Sequence, residues 1–129
     1  MRYALGTLIA AFVLSALPAT AQKTATQFYM EYQAAFAKAK TIDEILPYMA
    51  KENVDQVKST PAAEKAKMFG MIKMMNDYTN VKVTKETKTP TGYMLDVSAT
   101  NSEKKPATAT VEIVNEGGAM KLKKESWKN

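Results

Sequence analysis

The chain has 129 residues, with 18 Lys and Arg against 13 Asp and Glu, a formal charge of +5, and neither His nor Cys. That length suits a single domain. The missing residue types exclude a Ser-His-Asp triad, an imidazole metal site, a thiolate nucleophile, a disulfide and a thiolate zinc site. Carboxylate, lysine, tyrosine, hydroxyl and thioether chemistry remain.

Arg2 is followed by an apolar run from Tyr3 to Leu17, which Pro18 breaks, and Ala19-Thr20-Ala21 then places small residues in an A-x-A arrangement. This is the layout of a secretory signal peptide, residues 1–21, with cleavage expected between Ala21 and Gln22. The run is shorter than the ~20 residues that span a bilayer, and no basic cluster follows it. The expectation is an exported protein, periplasmic or secreted, soluble and without a membrane span after cleavage, whose residues 22–129 form one domain. Cleavage removes Arg2, the only arginine. Bidentate recognition of bases and phosphates leans on arginine, so nucleic acid is not an expected partner.

The first half reads as helices. From Ala25 to about Lys40, Phe28, Tyr32, Ala35, Phe36 and Ala39 form one apolar stripe at helical spacing, with Tyr29 on its edge. Thr41-Ile42-Asp43-Glu44 is a capping-box pattern opening a short second helix that contains Ile45, Leu46 and Met49, with Pro47 near its first turn. A third stretch runs from Glu52 to Val57. Thr60 and Pro61 then read as N-cap and first position of a helix reaching about Asp77.

The second half alternates with period two. Val81 and Val83 begin it, and Thr89-Pro90-Thr91-Gly92 marks a turn. Tyr93, Leu95, Val97 and Ala99 share one face of the next strand; Ala107, Ala109, Val111 and Ile113 share one face of the strand after it. Asn115-Glu116-Gly117-Gly118 is a hairpin turn leading to Met120, Leu122 and Trp127. Short loops make the strands antiparallel neighbours, and a single apolar face requires helices to cover it. The fold class is α+β: N-terminal helices packed in the concave face of a curved, antiparallel, four-stranded meander, a cone-like roll.

With its leader, aromatic-striped first helix, short Pro-containing second helix, meander and closing Ser126-Trp127 pair, the chain resembles the small exported proteins of the nuclear transport factor 2-like superfamily, of cystatin-like cone shape. The resemblance implies an apolar pocket between the long helix and the sheet. Enzymes of that superfamily place an acid or His in the pocket. Here none of the pocket-facing positions Tyr93, Leu95, Val97, Ala99, Ala107, Ala109, Val111 and Ile113 is acidic. The resulting reading is a non-enzymatic binding domain, without a cofactor, for a small apolar ligand or a protein partner. Its candidate pocket residues are Phe28, Tyr29, Tyr32, Phe36, Tyr93, Val97, Ala109 and Val111. A proton-transfer enzyme of the same fold is the alternative, and a buried Asp or Glu beside a Tyr would favour it.

Three other features bear on function. Asp96 shares a strand face with Met94, Ser98 and Thr100, which places it in solvent rather than in a site. Met68, Met71, Met74 and Met75 fall in one helical arc with Ile72 and Tyr78. They read as core packing, with a Cu(I) site built from thioethers as the alternative. Lys104, Lys105, Lys121, Lys123, Lys124 and Lys128 gather around the last hairpin among Glu103, Glu112, Glu116 and Glu125, as a solvated sheet face requires.

Overall fold

A computed structural model describes residues 23–129. The leader and its cleavage point at Ala21 and Gln22 lie outside the described residues. Helix α1 spans Ala25–Lys38, a 3-10 helix Ile42–Tyr48, α2 Lys51–Lys58 and α3 Ala62–Met75. Strands β1 (Thr79–Lys88), β2 (Gly92–Thr100), β3 (Pro106–Glu116) and β4 (Ala119–Lys128) follow, paired antiparallel in the order β1-β2-β3-β4. The fold is α+β, helices first and meander second. Among the described residues no helix is long and apolar enough to cross a membrane.

Side-chain period and turn chemistry account for the sheet. Leu95, Val97, Ala99, Ala107, Ala109, Val111 and Ile113 are all buried on the face toward the helices, and Asp96 is exposed. Gly117 and Gly118 both take positive φ in the β3–β4 turn, where any side chain would be strained. Helix α1 lays Phe28, Tyr29, Tyr32 and Phe36 on the sheet, and Tyr29 is fully buried rather than at the edge of the stripe. The same stripe joins α1 to the other helices: Phe28 and Tyr32 meet Tyr48 of the 3-10 helix with centroids 6.1 and 6.0 Å apart, and Phe36 meets Phe69 of α3 edge-on at 5.9 Å. Such tilted and edge-to-face pairs add to the energy of burial alone.

Carboxylates fasten the helix starts. Thr24 and Gln27 form a capping box at the head of α1. No acid lies in the first turn of α1, and Glu86 of β1 supplies one from across the fold, accepting from the Thr26 N–H at 2.8 Å and its hydroxyl at 2.9 Å. Glu116 of β3 likewise accepts from the Lys51 N–H at the head of α2. Glu44 accepts from the backbone of Thr41 and Lys40, which holds its carboxyl below the usual range.

Three expectations change. Pro61, not Thr60, stands at the N-cap of α3, and the Thr60 hydroxyl donates back to the Gln56 carbonyl of α2. Pro47 is the sixth of seven residues in its helix, not part of the first turn. Proline there gives up one i→i+3 donor, and the short 3-10 segment ends one residue later. The methionines are not core: Met71, Met74 and Met75 are 62%, 81% and 72% exposed, and only Met68 is partly covered. Helix α3 buries Phe69 instead, with Ile72 beside it. The helix carries alanines and methionines nearly all round, so its pattern singles out no face; the Phe36 ring decides which side turns inward.

Candidate functional site

Three features could carry function: an open groove, a half-buried polar network, and the exposed methionines. The groove lies between the 3-10 helix and α3, with a volume of about 500 Å³. Ala39, Ile42, Ala62, Ala66, Phe69 and Gly70 make it largely apolar, and Lys40, Lys65, Lys73 and Asp43 bring charge to it. Lys65 sits 3.6 Å from the Asp43 carboxylate. Lys73 donates to the Ala37 carbonyl at 3.2 Å while its ammonium stands over the rings of Phe36 and Phe69, 5.5 and 5.7 Å from their centroids. Asp43 neutralises one of the three cations, so the groove is apolar with a net positive character. Its volume lies within the range of small-molecule sites.

The polar network is the residue set that sequence alternation misses. Ile113 pairs with Leu122 but Glu112 pairs with Lys124, so Lys123 is an extra residue in β4. The bulge shifts the alternation of every later residue in the strand. Glu125 stands opposite Val111 and Trp127 opposite Ala109, both turned toward the helices. The Tyr29 hydroxyl donates to Glu125 Oε2 at 2.5 Å, and the Gln33 amide donates to that oxygen at 3.1 Å and to the Tyr29 hydroxyl at 2.8 Å. The Trp127 indole N–H is near enough to favour the carboxylate, but it meets hydrogen-bond geometry with no acceptor. Burial raises the Glu125 carboxyl above its usual range, and the donated hydrogen bonds oppose this only in part. Burial, together with the Glu125 charge, also pushes the hydroxyls of Tyr29 and Tyr32 upward.

A stability measurement tests that environment. The native carboxyl holds its proton to higher pH than the unfolded one, so native protein binds more protons between the two values. Wild-type stability relative to Glu125→Gln should then rise as pH falls from 7 toward about 4.3, the unfolded value, and level off below it. Urea unfolding of both proteins across that window reads the difference. A constant difference, or one that shrinks on acidification, would contradict burial as the dominant influence.

Of the eight residues read as a pocket, Phe28 and Tyr93 line a second space of about 480 Å³, with Lys23, Asn115, Gly118, Ala119 and Met120. Tyr29, Tyr32, Phe36, Val97, Ala109 and Val111 stand together in the core cluster. The Tyr29 hydroxyl is engaged by Glu125. One signal could have revealed Glu125. Leu122 and Trp127 are five residues apart, and two apolar residues of one strand face need an even spacing unless a bulge intervenes.

The exposed methionines occupy the last turns of α3. Met74 and Met75 line a small pocket of about 220 Å³ with Asp77, Tyr78, Asn101, Ser102, Glu103 and Asn129. Tyr78 in turn stacks on Trp127 at 3.8 Å. Among the described residues no group of three or more Asp or Glu is placed to hold a metal ion. Comparison with protein-family models, with curated proteins and with solved structures finds no match.

Proposed function

We propose that this chain is a non-enzymatic binding domain of an exported protein, and that its ligand is a small, mainly apolar molecule carrying a negative group. The observation that carries this reading is the groove between the 3-10 helix and α3, where Ile42, Ala66 and Phe69 give an apolar lining beside Lys40, Lys65 and Lys73. The leader-like layout of residues 1–21 supports export, and the order of helices before a meander supports a nuclear transport factor 2-like domain. The groove differs from the pocket expected under α1, because its walls are two helices rather than helix and sheet.

A second reading, proton transfer, has one observation in its favour, the inward carboxyl of Glu125 beside Tyr29. That tyrosine is fully covered and its hydroxyl already donates to the carboxyl, which leaves the groove as the more accessible place for a ligand.

Thermal melting with medium-chain fatty acids tests the proposal. Ligand at 100 times its Kd should add about 2.7 kcal/mol to the stability of the folded state. The corresponding straight-chain alcohols, lacking the charge, should give a smaller shift. Ala66 is exposed on the groove wall, so Ala66→Phe should fill the space without disturbing the core and cancel the effect. Equal shifts in wild type and Ala66→Phe would remove the groove from consideration.

A further inference from the structure

Beyond the groove, the exposed thioethers of α3 form a feature that neither core packing nor amphiphile binding uses. Met71, Met74 and Met75 lie within about 100° of arc at 100° per residue, and neighbours three and four apart approach to 5–6 Å at Cβ. None of the three supports the core, and each presents its flexible side chain to water.

Thioether sulfur is a soft, uncharged donor that selects Cu(I) among biological cations. With no His and no Cys in the chain, thioether is the only soft donor it can offer. The electrostatic setting also suits a cation. Met75 is the last residue of α3, so Met74 and Met75 sit where the helix dipole is negative and the final carbonyls lack helical partners. Asp77 lines the same small pocket as these two methionines; Glu103 lines it too, but its carboxylate is paired with Lys105 at 3.4 Å. Lys73, the nearest cation in sequence, is turned away to the Ala37 carbonyl and the two Phe rings.

We propose that Met71, Met74 and Met75 bind one Cu(I) ion through their three sulfurs, with Asp77 contributing charge from beside the site. The ion arrives and leaves as Cu(I), so binding involves no electron transfer. Zn²⁺, which relies on thiolate, imidazole or carboxylate ligands, is not held there.

The test is an anaerobic competition for Cu(I) between the purified protein and a chromophoric chelator, repeated with Ag(I) as a soft ion that does not change oxidation state. The expected result is uptake of one equivalent of either ion, weakened at least tenfold in the triple variant Met71→Leu/Met74→Leu/Met75→Leu. The three positions are exposed, so the variant should melt as the wild type does. Met30→Leu, at an exposed methionine of α1, should bind as the wild type does. Three results would overturn the proposal: no stoichiometric uptake by the wild type, equal affinity in the triple variant, or a comparable loss in Met30→Leu. Because Ala66→Phe alters only the groove, it should retain Cu(I) whatever becomes of fatty-acid binding.

Discussion

Tyr29→Ala should destabilise the protein by about 4 kcal/mol, the usual cost of removing a fully buried aromatic ring. Tyr29 has no exposed surface and lies against the sheet from the first turn and a half of α1. Its ring contributes packing, and its hydroxyl contributes a donor to a carboxylate that burial has already made uncomfortable. Tyr29→Phe separates the two contributions. The ring stays, Glu125 keeps Gln33 as a donor, and the loss should be about 1 kcal/mol, the net contribution of one hydrogen bond. Equilibrium urea unfolding at pH 7 measures both variants. A Tyr29→Phe protein as stable as the wild type would remove the network from the forces holding α1 to β4.

An equally large effect is expected at Gly92, for a steric reason. Gly92 opens β2, is buried, and pairs with Val114 of β3. A Cβ added there would run into the carbonyl of Ile113 and come within 2.8 Å of the Val114 Cα. Both obstacles are backbone, so no side-chain rotation relieves them. Gly92→Ala should therefore cost roughly 3 kcal/mol or more, at the upper end of overpacking effects, because β2 and β3 must separate to accept it. Gly117→Ala is the comparison. Nothing lies within 4 Å of its added Cβ, and only the positive φ of 57° resists the change, a cost of about 1 kcal/mol. Thermal melting of the two variants should rank Gly92→Ala well below Gly117→Ala; the reverse order would mean that the strand spacing adjusts freely at this point.

How far the sequence discloses the fold depends on the element. Strands β2 and β3 are legible because alternation is a local property. Leu95 and Val97 are two residues apart, as are Val111 and Ile113, and all four are buried. Helix α1 is legible because its aromatic stripe has one direction. Helix α3 is not, because Met71, Met74 and Ala66 are as apolar as Met68, and only a ring on another helix distinguishes the faces. The groove depends on how α3 lies against the 3-10 helix, which no spacing within either segment encodes. Glu125 is hidden differently: its neighbours alternate faithfully, but the count begins again after Lys123.

That extra residue leaves β4 with a choice its own ladder does not make. Paired without the bulge, the same strand would run on in step from Leu122, turning Lys124, Ser126 and Lys128 toward the aromatic face of α1 and sending Glu125 and Trp127 into water. The arbiter lies outside the sheet. The Leu122 carbonyl accepts from the Ala50 N–H at 2.8 Å, and the Lys123 carbonyl accepts from the Asn53 amide at 2.9 Å. Both donors belong to the entrance of α2, so a helix from the first half of the chain pins the irregular point of the last strand. A β3–β4 hairpin standing alone has no such guide beyond its side-chain pattern. The facing of the outer half of β4 is therefore set jointly by its ladder with β3 and by the head of α2, so the last strand and a helix from the first half of the chain share one register.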